Sequence, residues 1–403
     1  MPVSTNITNT LKRIYPGPNG FTVAALRNHP LSSMIKKTTG FTGVSAHRAI
    51  QYTLPAGVSL TFANAQSAAS LAKTVQWTLT RKNRYGSLTL TGDDIHASKS
   101  NEGAFVSALK QQADACLSYM GQQIGHAMYR DKYASIGARA SAATNVITLS
   151  NASDALYFME GMTVCASSAA YSMRTGTTTV TAVDYDAGTV TLTSAAAITS
   201  FADTDLLYPA HAAGDIGTSF NGLAGWIPLT APTAGDSFNG VDRSVNPVLL
   251  SGHRLNDTTG TYEEILQELM AKVSRTADKG TPQELKIMMN PVPYGVFLRQ
   301  LGSKVEYYEH KTAEVGFGGI LIHGAIGTVN VQPDPDCASN RTYLLNLKDW
   351  DMLTMGPDFP HVIEDDGMPF VRSATADAVE GRLRCWGDLY CCQPKNQGVA
   401  ALP

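Results

Sequence analysis

The sequence predicts an α+β fold, with helices and strands mixed and no strand–helix alternation of the dinucleotide-binding kind. Three observations carry that expectation. Residues 101–133 read as one long amphipathic helix, 73–91 alternate as paired strands, and 134–214 shift abruptly to Ala, Ser, Thr, Val and Gly with several short strand patterns. In the helical stretch, Phe105, Leu109, Ala113, Cys116, Leu117, Met120, Ile124 and Met128 recur at three- and four-residue steps. Lys110, Gln111, Asp114, Ser118 and Gln122 fall between them, so one face is apolar and the other wet. Ser100 or Asn101 is placed to cap its start, and Arg130 and Lys132 to sit at its carbonyl end, where the helix dipole favours cations. A continuous helix of this length extends about 50 Å, more than a small ball-shaped domain spans. The plain reading of the segment alone is an ordinary core helix.

The bulk numbers bound the rest. The chain has 403 residues, 43% apolar and 16% charged, enough for two or three domains with a large core. No apolar run reaches membrane-spanning length and residues 1–17 hold no apolar signal core, so a soluble, non-secreted chain is expected. The six cysteines lack the paired spacing of zinc ligands or a disulfide framework, and reduced thiols are expected. The net charge of −3 hides an asymmetry. Residues 1–92 hold ten Lys or Arg and no acid, leaving 21 basic against 34 acidic residues in 93–403. A basic arm on an acidic body fits nucleic-acid contact, or an arm laid on another copy of the same chain.

In chain order, the first seventy residues are punctuated by YPGPNG, NHP, TTGFTG and LPAG too closely for a domain core, and read as an extended arm that carries Lys36 and Lys37. From Lys73, Val75, Trp77 and Leu79 alternate with Thr and Gln. Residues 81–86 then turn and 87–91 return, which predicts a β-hairpin whose tip bears Arg81, Lys82, Arg84 and Tyr85. An isolated hairpin is marginal, so this one packs on its own body or on a neighbour. Strands are expected at 145–149, 162–165, 177–183 and 188–192, the last two as a hairpin; together they read as a small inserted β-barrel or sandwich. Residues 215–256 are loop-rich. Thr261 and Glu264 form a capping box for a helix with its stripe on Tyr262, Ile265, Leu266, Leu269, Met270 and Val273. A strand at 285–289 is followed by Asn290-Pro291 opening another helix, and further strands are expected at 327–331, 343–347, 352–355, 369–372 and 383–390.

No constellation for catalysis is present. The sequence holds no GxSxG, GxxxxGK[ST], HExxH or strand-borne GxGxxG, and GFGG at 316–319 has no phosphate-binding lysine behind it. Histidines such as His126 and His253 are isolated. Acids at Asp334 and Asp336, and at 364–366, could bind a hard cation, but they lack calcium-loop spacing, and solvated turns are the expectation. No enzyme activity, cofactor or metal is expected.

The order of parts resembles the major capsid proteins of tailed bacteriophages, whose fold is shared with encapsulins. The resemblance rests on YPGPNG and NHPLSSMIKKTTGF in the arm, VQWTLTRKNRYGSLTLTG, SNEGAFVSALKQQ, MMNPVPYGVFLRQLG and YLLNLKDWDMLTMG. It implies an N-terminal arm at 1–58, an extended hairpin loop lying over the adjacent subunit at 59–92, and a peripheral domain with a spine helix at 93–133. An inserted β domain at 134–214, an axial domain at 215–326, and peripheral strands with the C-terminal segment at 327–403 complete it. The implied role is structural: hexamers and pentamers of one chain forming an icosahedral shell around double-stranded DNA, with portal and possibly scaffolding or decoration proteins as partners and no membrane. The virion, assembled in the bacterial host cytoplasm, is the implied location. Subunit contacts are then expected from Lys36, Lys37, Trp77, Arg81, Lys82, Arg84 and Tyr85. An encapsulin-like compartment, or a DNA-binding protein using the basic arm, are the alternatives.

Overall fold

The computed structural model describes residues 29–91, 102–209, 215–277, 284–301, 320–356, 361–363, 370–373 and 376–403. The expected features at 1–28, the helix cap at 100–101, GFGG and the acids at 364–366 lie outside them. The described residues form two compact units, with boundaries at 82/83, 125/126, 355/356 and 386/387.

In the smaller unit the long helix is Glu102–Tyr129, which belongs to this unit as far as Gly125. In the described part of its apolar stripe, Met120 and Ile124 are buried and Cys116 and Leu117 half-buried. The helix stops at Tyr129, so Arg130 and Lys132 lie beyond it and His126 is the basic residue of its last turn. Strand β4 (Lys82–Thr91) packs closely on it: a Cβ added at Gly86 would meet Met120 Cε at 3.0 Å and Cys116 Sγ at 3.3 Å. β19 (His361–Val362) and β20 (Phe370–Arg372) pair antiparallel with the first half of β21 (Ala378–Cys391).

The larger unit is built on a six-stranded sheet in the order β13 (His253–Leu255), β22 (Gly398–Ala401), β17 (Arg341–Asn346), β14 (Leu285–Met289), β16 (Gly327–Pro333), β15 (Ile320–Gly324). The helix Tyr262–Ser274 covers it with the expected stripe, all six residues buried, and starts on the capping box: the Thr261 side chain accepts from Glu264 N, and the Glu264 carboxylate accepts from Thr261 N at 2.8 Å. The helix Pro291–Leu301 adds Phe297 to the same core. The boundary expected at residue 326 passes through this sheet. Strands on both sides of it are hydrogen-bonded, β14 parallel to β16 and β15 antiparallel to β16.

The insertion is a closed six-stranded barrel, β10 (Leu206–Pro209), β5 (Gly137–Ala143), β6 (Val146–Leu149), β9 (Thr189–Leu192), β8 (Thr178–Asp184), β7 (Thr163–Ser167). Alternation fills it: in β6, Ile147 and Leu149 point in while Val146 and Thr148 point out. The β8–β9 hairpin is as expected, its turn held by Asp184 Oδ1 accepting from the amides of Asp186 and Ala187 at 3.0 and 2.9 Å. Two closing strands escape the pattern. β5 reads GARASAA, with few large apolar residues, and a Cβ added at its Gly137 would lie 3.3 Å from the Leu149 and Phe158 side chains; β10 is a continuous LLYP run.

The expected hairpin is corrected. β3 (Thr74–Thr80) pairs antiparallel with β2 (Ser45–Gln51), from Ser45 opposite Thr80 to Gln51 opposite Thr74, and not with β4, which pairs with β21. Apolar alternation is clear in β3 and in the second half of β4 but absent from β2 (SAHRAIQ), and the 22 residues of 52–73 between β2 and β3 do not look like a turn. Beside this ribbon, β1 (Lys36–Thr39) runs parallel to β18 (Trp350–Thr354), whose other neighbour is the second half of β21.

Candidate subunit interface

The β2–β3 ribbon is about 24 Å long and has two unlike ends. At its root, Trp77 and Leu79 are wholly buried, and Trp77 is packed edge-on against Trp226 (ring centroids 5.2 Å) and Phe238 (6.1 Å). Trp226 extends the cluster to Trp350 and Tyr390 at 6.4 and 6.0 Å, and its Nε1 donates to Leu389 O at 2.9 Å. Phe238 is presented by a tight two-strand turn, β11 (Ser237–Phe238) to β12 (Val241–Asp242), with Asn239 and Gly240 at φ +49° and +84°; Asn239 O also accepts from Thr78 N at 2.8 Å. Gly222 lets the adjoining chain in: a Cβ there would lie 2.3 Å from the Ala127 and Met128 carbonyl oxygens. The root is thus part of the core.

At the other end, residues 52–73 carry a short helix, Phe62–Ser67, none of it buried. Leu54, Val58, Leu60, Phe62 and Leu71 are exposed, Val58 to 95% and Leu60 to 105%. No charged residue occurs from 49 to 72. Exposed apolar groups clustered in this way mark an interaction surface, since monomeric proteins rarely present them together.

The residues expected at a subunit interface are not one surface. Lys36 and Lys37 are exposed on β1, as a contact role needs. Trp77 is a core residue, so its expected interface role is corrected. Arg81, Lys82 and Arg84 are half-buried at the start of β4 and form no tip. Arg81 Nη1 approaches Met355 Sδ at 2.6 Å, and burial lowers the pKa of Arg84. Lys82 offsets part of the cost of burying Asp388, whose carboxyl burial raises to about 7. Tyr85 is exposed, its hydroxyl accepting from Trp386 Nε1 at 3.3 Å. Sequence reasoning missed the tip itself; the signal was present as a charge-free apolar stretch with no complementary face of its own.

The turn at Asp334 and Asp336 is also corrected, because both carboxylates are buried, at 0% and 2% exposure. Asp334 Oδ2 accepts from Leu31 N at 3.1 Å and Tyr129 Oη at 2.8 Å, and its Oδ1 from Asp336 N at 2.9 Å. Asp336 pairs with His29 Nδ1 at 2.5 Å and accepts from Tyr157 Oη at 3.3 Å. Buried polar groups survive when they are partnered in this way. The loop is an internal junction that joins the start of the described chain, the end of the long helix, the barrel and the sheet. The six cysteines are free thiols, four buried and Cys116 and Cys392 half-buried. Among the described residues no helix is long and apolar enough to cross a membrane.

No protein-family model matches the sequence, and no curated protein matches it. Solved structures do. The chain is similar to one in the cyanophage A-1(L) capsid asymmetric unit at 12% identity and a TM-score of 0.54, over 96% of this chain and 95% of that one. The holo-SrpI encapsulin complex from Synechococcus elongatus PCC 7942 matches at 9% identity and TM-score 0.48, over 94% and 89%. The capsid of a native GTA particle matches at 9% and 0.47, over 96% and 94%. The fold is therefore a phage-capsid fold, present along nearly the whole chain, as the sequence resemblance implies.

Proposed function

We propose that the chain is the major capsid protein of a tailed double-stranded-DNA phage, building an icosahedral shell through hexamers and pentamers and catalysing nothing. The observation that carries this reading is the β2–β3 ribbon: a root locked in the core and an apolar tip with no cover of its own, on a capsid fold. A neighbouring copy covers the tip, and every copy repeats the contact, so that heterologous contacts close a shell. Residues 45–80 are the extended loop in this reading, in place of 59–92. The arm is basic and the body acidic, which gives complementary charge between copies and sets their register. The packaged DNA is held without sequence preference, a portal and possibly scaffolding or decoration proteins complete the particle, and it assembles in the bacterial cytoplasm.

The test is expression of the full chain, alone and with candidate scaffolding chains, followed by light scattering and negative-stain electron microscopy. Closed shells of uniform size are expected. A monodisperse monomer under every condition overturns the proposal, and shells that take up a protein cargo and no DNA move it to an encapsulin-like compartment.

A further inference from the structure

The junction at Asp334 and Asp336 brings protons together where the first 28 residues lead into the body. His29, the first described residue, sets Nδ1 2.5 Å from Asp336 Oδ2, and two residues later the Leu31 amide donates to Asp334 at 3.1 Å. Leu31 and Ile35 are then buried, which fixes the segment in place. We propose that these groups form a proton-operated clasp on residues 29–31, which holds them down while the cluster carries its proton and lets them lift once that proton is lost. The clasp is independent of the shell reading and stands whether or not the chain assembles.

The surroundings leave few other places for the charge to be balanced. From the long helix, Tyr129 donates to Asp334, and from the barrel Tyr157 donates to Asp336; burial and the neighbouring carboxylates hold both phenols protonated, well above their ordinary range. The Cys337 thiol, on the same loop, is pushed up by burial and Asp334 and stays neutral. Arg130 is committed to Asp154 at 2.6 Å. Its Nε donates to His126 Nε2 at 3.1 Å, and the His126 ring lies against Tyr157, centroids 4.0 Å apart. Arg341 acts on Cys337 and Tyr343 from the adjoining strand. Among the described residues, His29 is the basic side chain in direct contact with Asp336.

The sign follows from which state binds more protons. Burial first, and Asp336 second, hold the Asp334 carboxyl up at about 6. Lifting residues 29–31 returns water to it and restores the ordinary carboxylate range, so docking takes up a proton between that range and about 6. Docking is therefore favoured as pH falls through about 6 and weakened above it.

Hydrogen exchange of the full chain, read by mass spectrometry on a peptide covering 29–41 and corrected for intrinsic exchange, tests this between about pH 4.5 and 7. With β14 as the internal reference, protection of 29–41 should fall about tenfold or more over that range, one proton supplying at most about tenfold per pH unit. Asp334→Asn keeps the shape and removes the titrating carboxyl, and should flatten the profile. A wild-type profile that is already flat, or one that survives unchanged in Asp334→Asn, overturns the clasp. Should Asp334→Asn fail to fold by circular dichroism, the wild-type profile against β14 decides alone, a flat one overturning the clasp.

Discussion

The two ends of the β2–β3 ribbon share one backbone ladder and nothing else. At the root, Trp77 and Leu79 are wholly buried, with the Trp77 ring against Trp226 and Phe238 and Trp226 in turn against Trp350 and Tyr390. At the tip, Leu60 and Phe62 touch almost nothing. The same side-chain chemistry thus serves two purposes, and position along the ribbon decides which. Apolar surface that finds partners within the chain stabilises the chain, whereas the exposed apolar surface at the tip is, in the proposed shell, the surface left for a neighbouring copy.

Mutation at the root should have the largest effect. Trp77→Ala removes the ring from the centre of the aromatic cluster and should cost about 3–5 kcal/mol, as large-to-small core changes do. Urea denaturation of the unassembled chain reads this as a lower midpoint at unchanged slope. A loss below about 1 kcal/mol would mean that the root is not core, and the contrast between the ends would fail.

Much of this fold was legible in the sequence, for identifiable reasons. The capping box at Thr261 and Glu264, the stripe of the helix Tyr262–Ser274 and the β8–β9 hairpin rest on local periodicity and local hydrogen bonds, and each stands where it was expected. The long helix ends four residues early because Arg130 turns out of it to reach Asp154. Strand pairing was not legible. β3 and the end of β4 alternate while β2 does not, and nothing local says that β3 pairs backward across 22 residues while β4 crosses to β21. The basic group Arg81, Lys82 and Arg84 was expected at a tip for that reason. Reversing those charges would disturb half-buried positions, so such a variant tests the body more than the contact. Asp334 and Asp336 were expected in water because two acids flanked by prolines look like a turn, and their partners come from residues 29, 31, 129 and 157, far off in sequence.

A smaller effect, with a definite sign, comes from Asp388 beside the root. Its Oδ2 is buried without a hydrogen-bond partner, and burial raises its carboxyl to about 7 against partial relief from Lys82. The ionised form is the costly one, so stability should rise as pH falls through about 7 toward the ordinary carboxylate range, the unfolded chain holding the unshifted value. Asp388→Asn removes the charge and keeps the shape. Its stability should exceed that of the wild type by about 2–4 kcal/mol near pH 8, with the gap narrowing as pH falls below about 7 and closing near about pH 4. Asp334 titrates in the same direction in both proteins, and the difference between them isolates Asp388. A gap that stays constant with pH would assign the effect to packing.

The smallest effect on folding should come from the tip, and there the two ends separate most sharply. Leu60→Ser with Phe62→Ser replaces two exposed apolar side chains, and surface changes away from the core alter stability by no more than about 0.5 kcal/mol. The urea midpoint of the unassembled chain should therefore match the wild type. Particle yield should nevertheless collapse, because every subunit loses the same apolar contact and the deficit repeats around the shell. Equal yields would leave the tip without a function in assembly and direct the search to the exposed Lys36 and Lys37 on β1. A lowered midpoint would show instead that the tip is covered by its own chain, and the charge-free stretch from 49 to 72 would then be core.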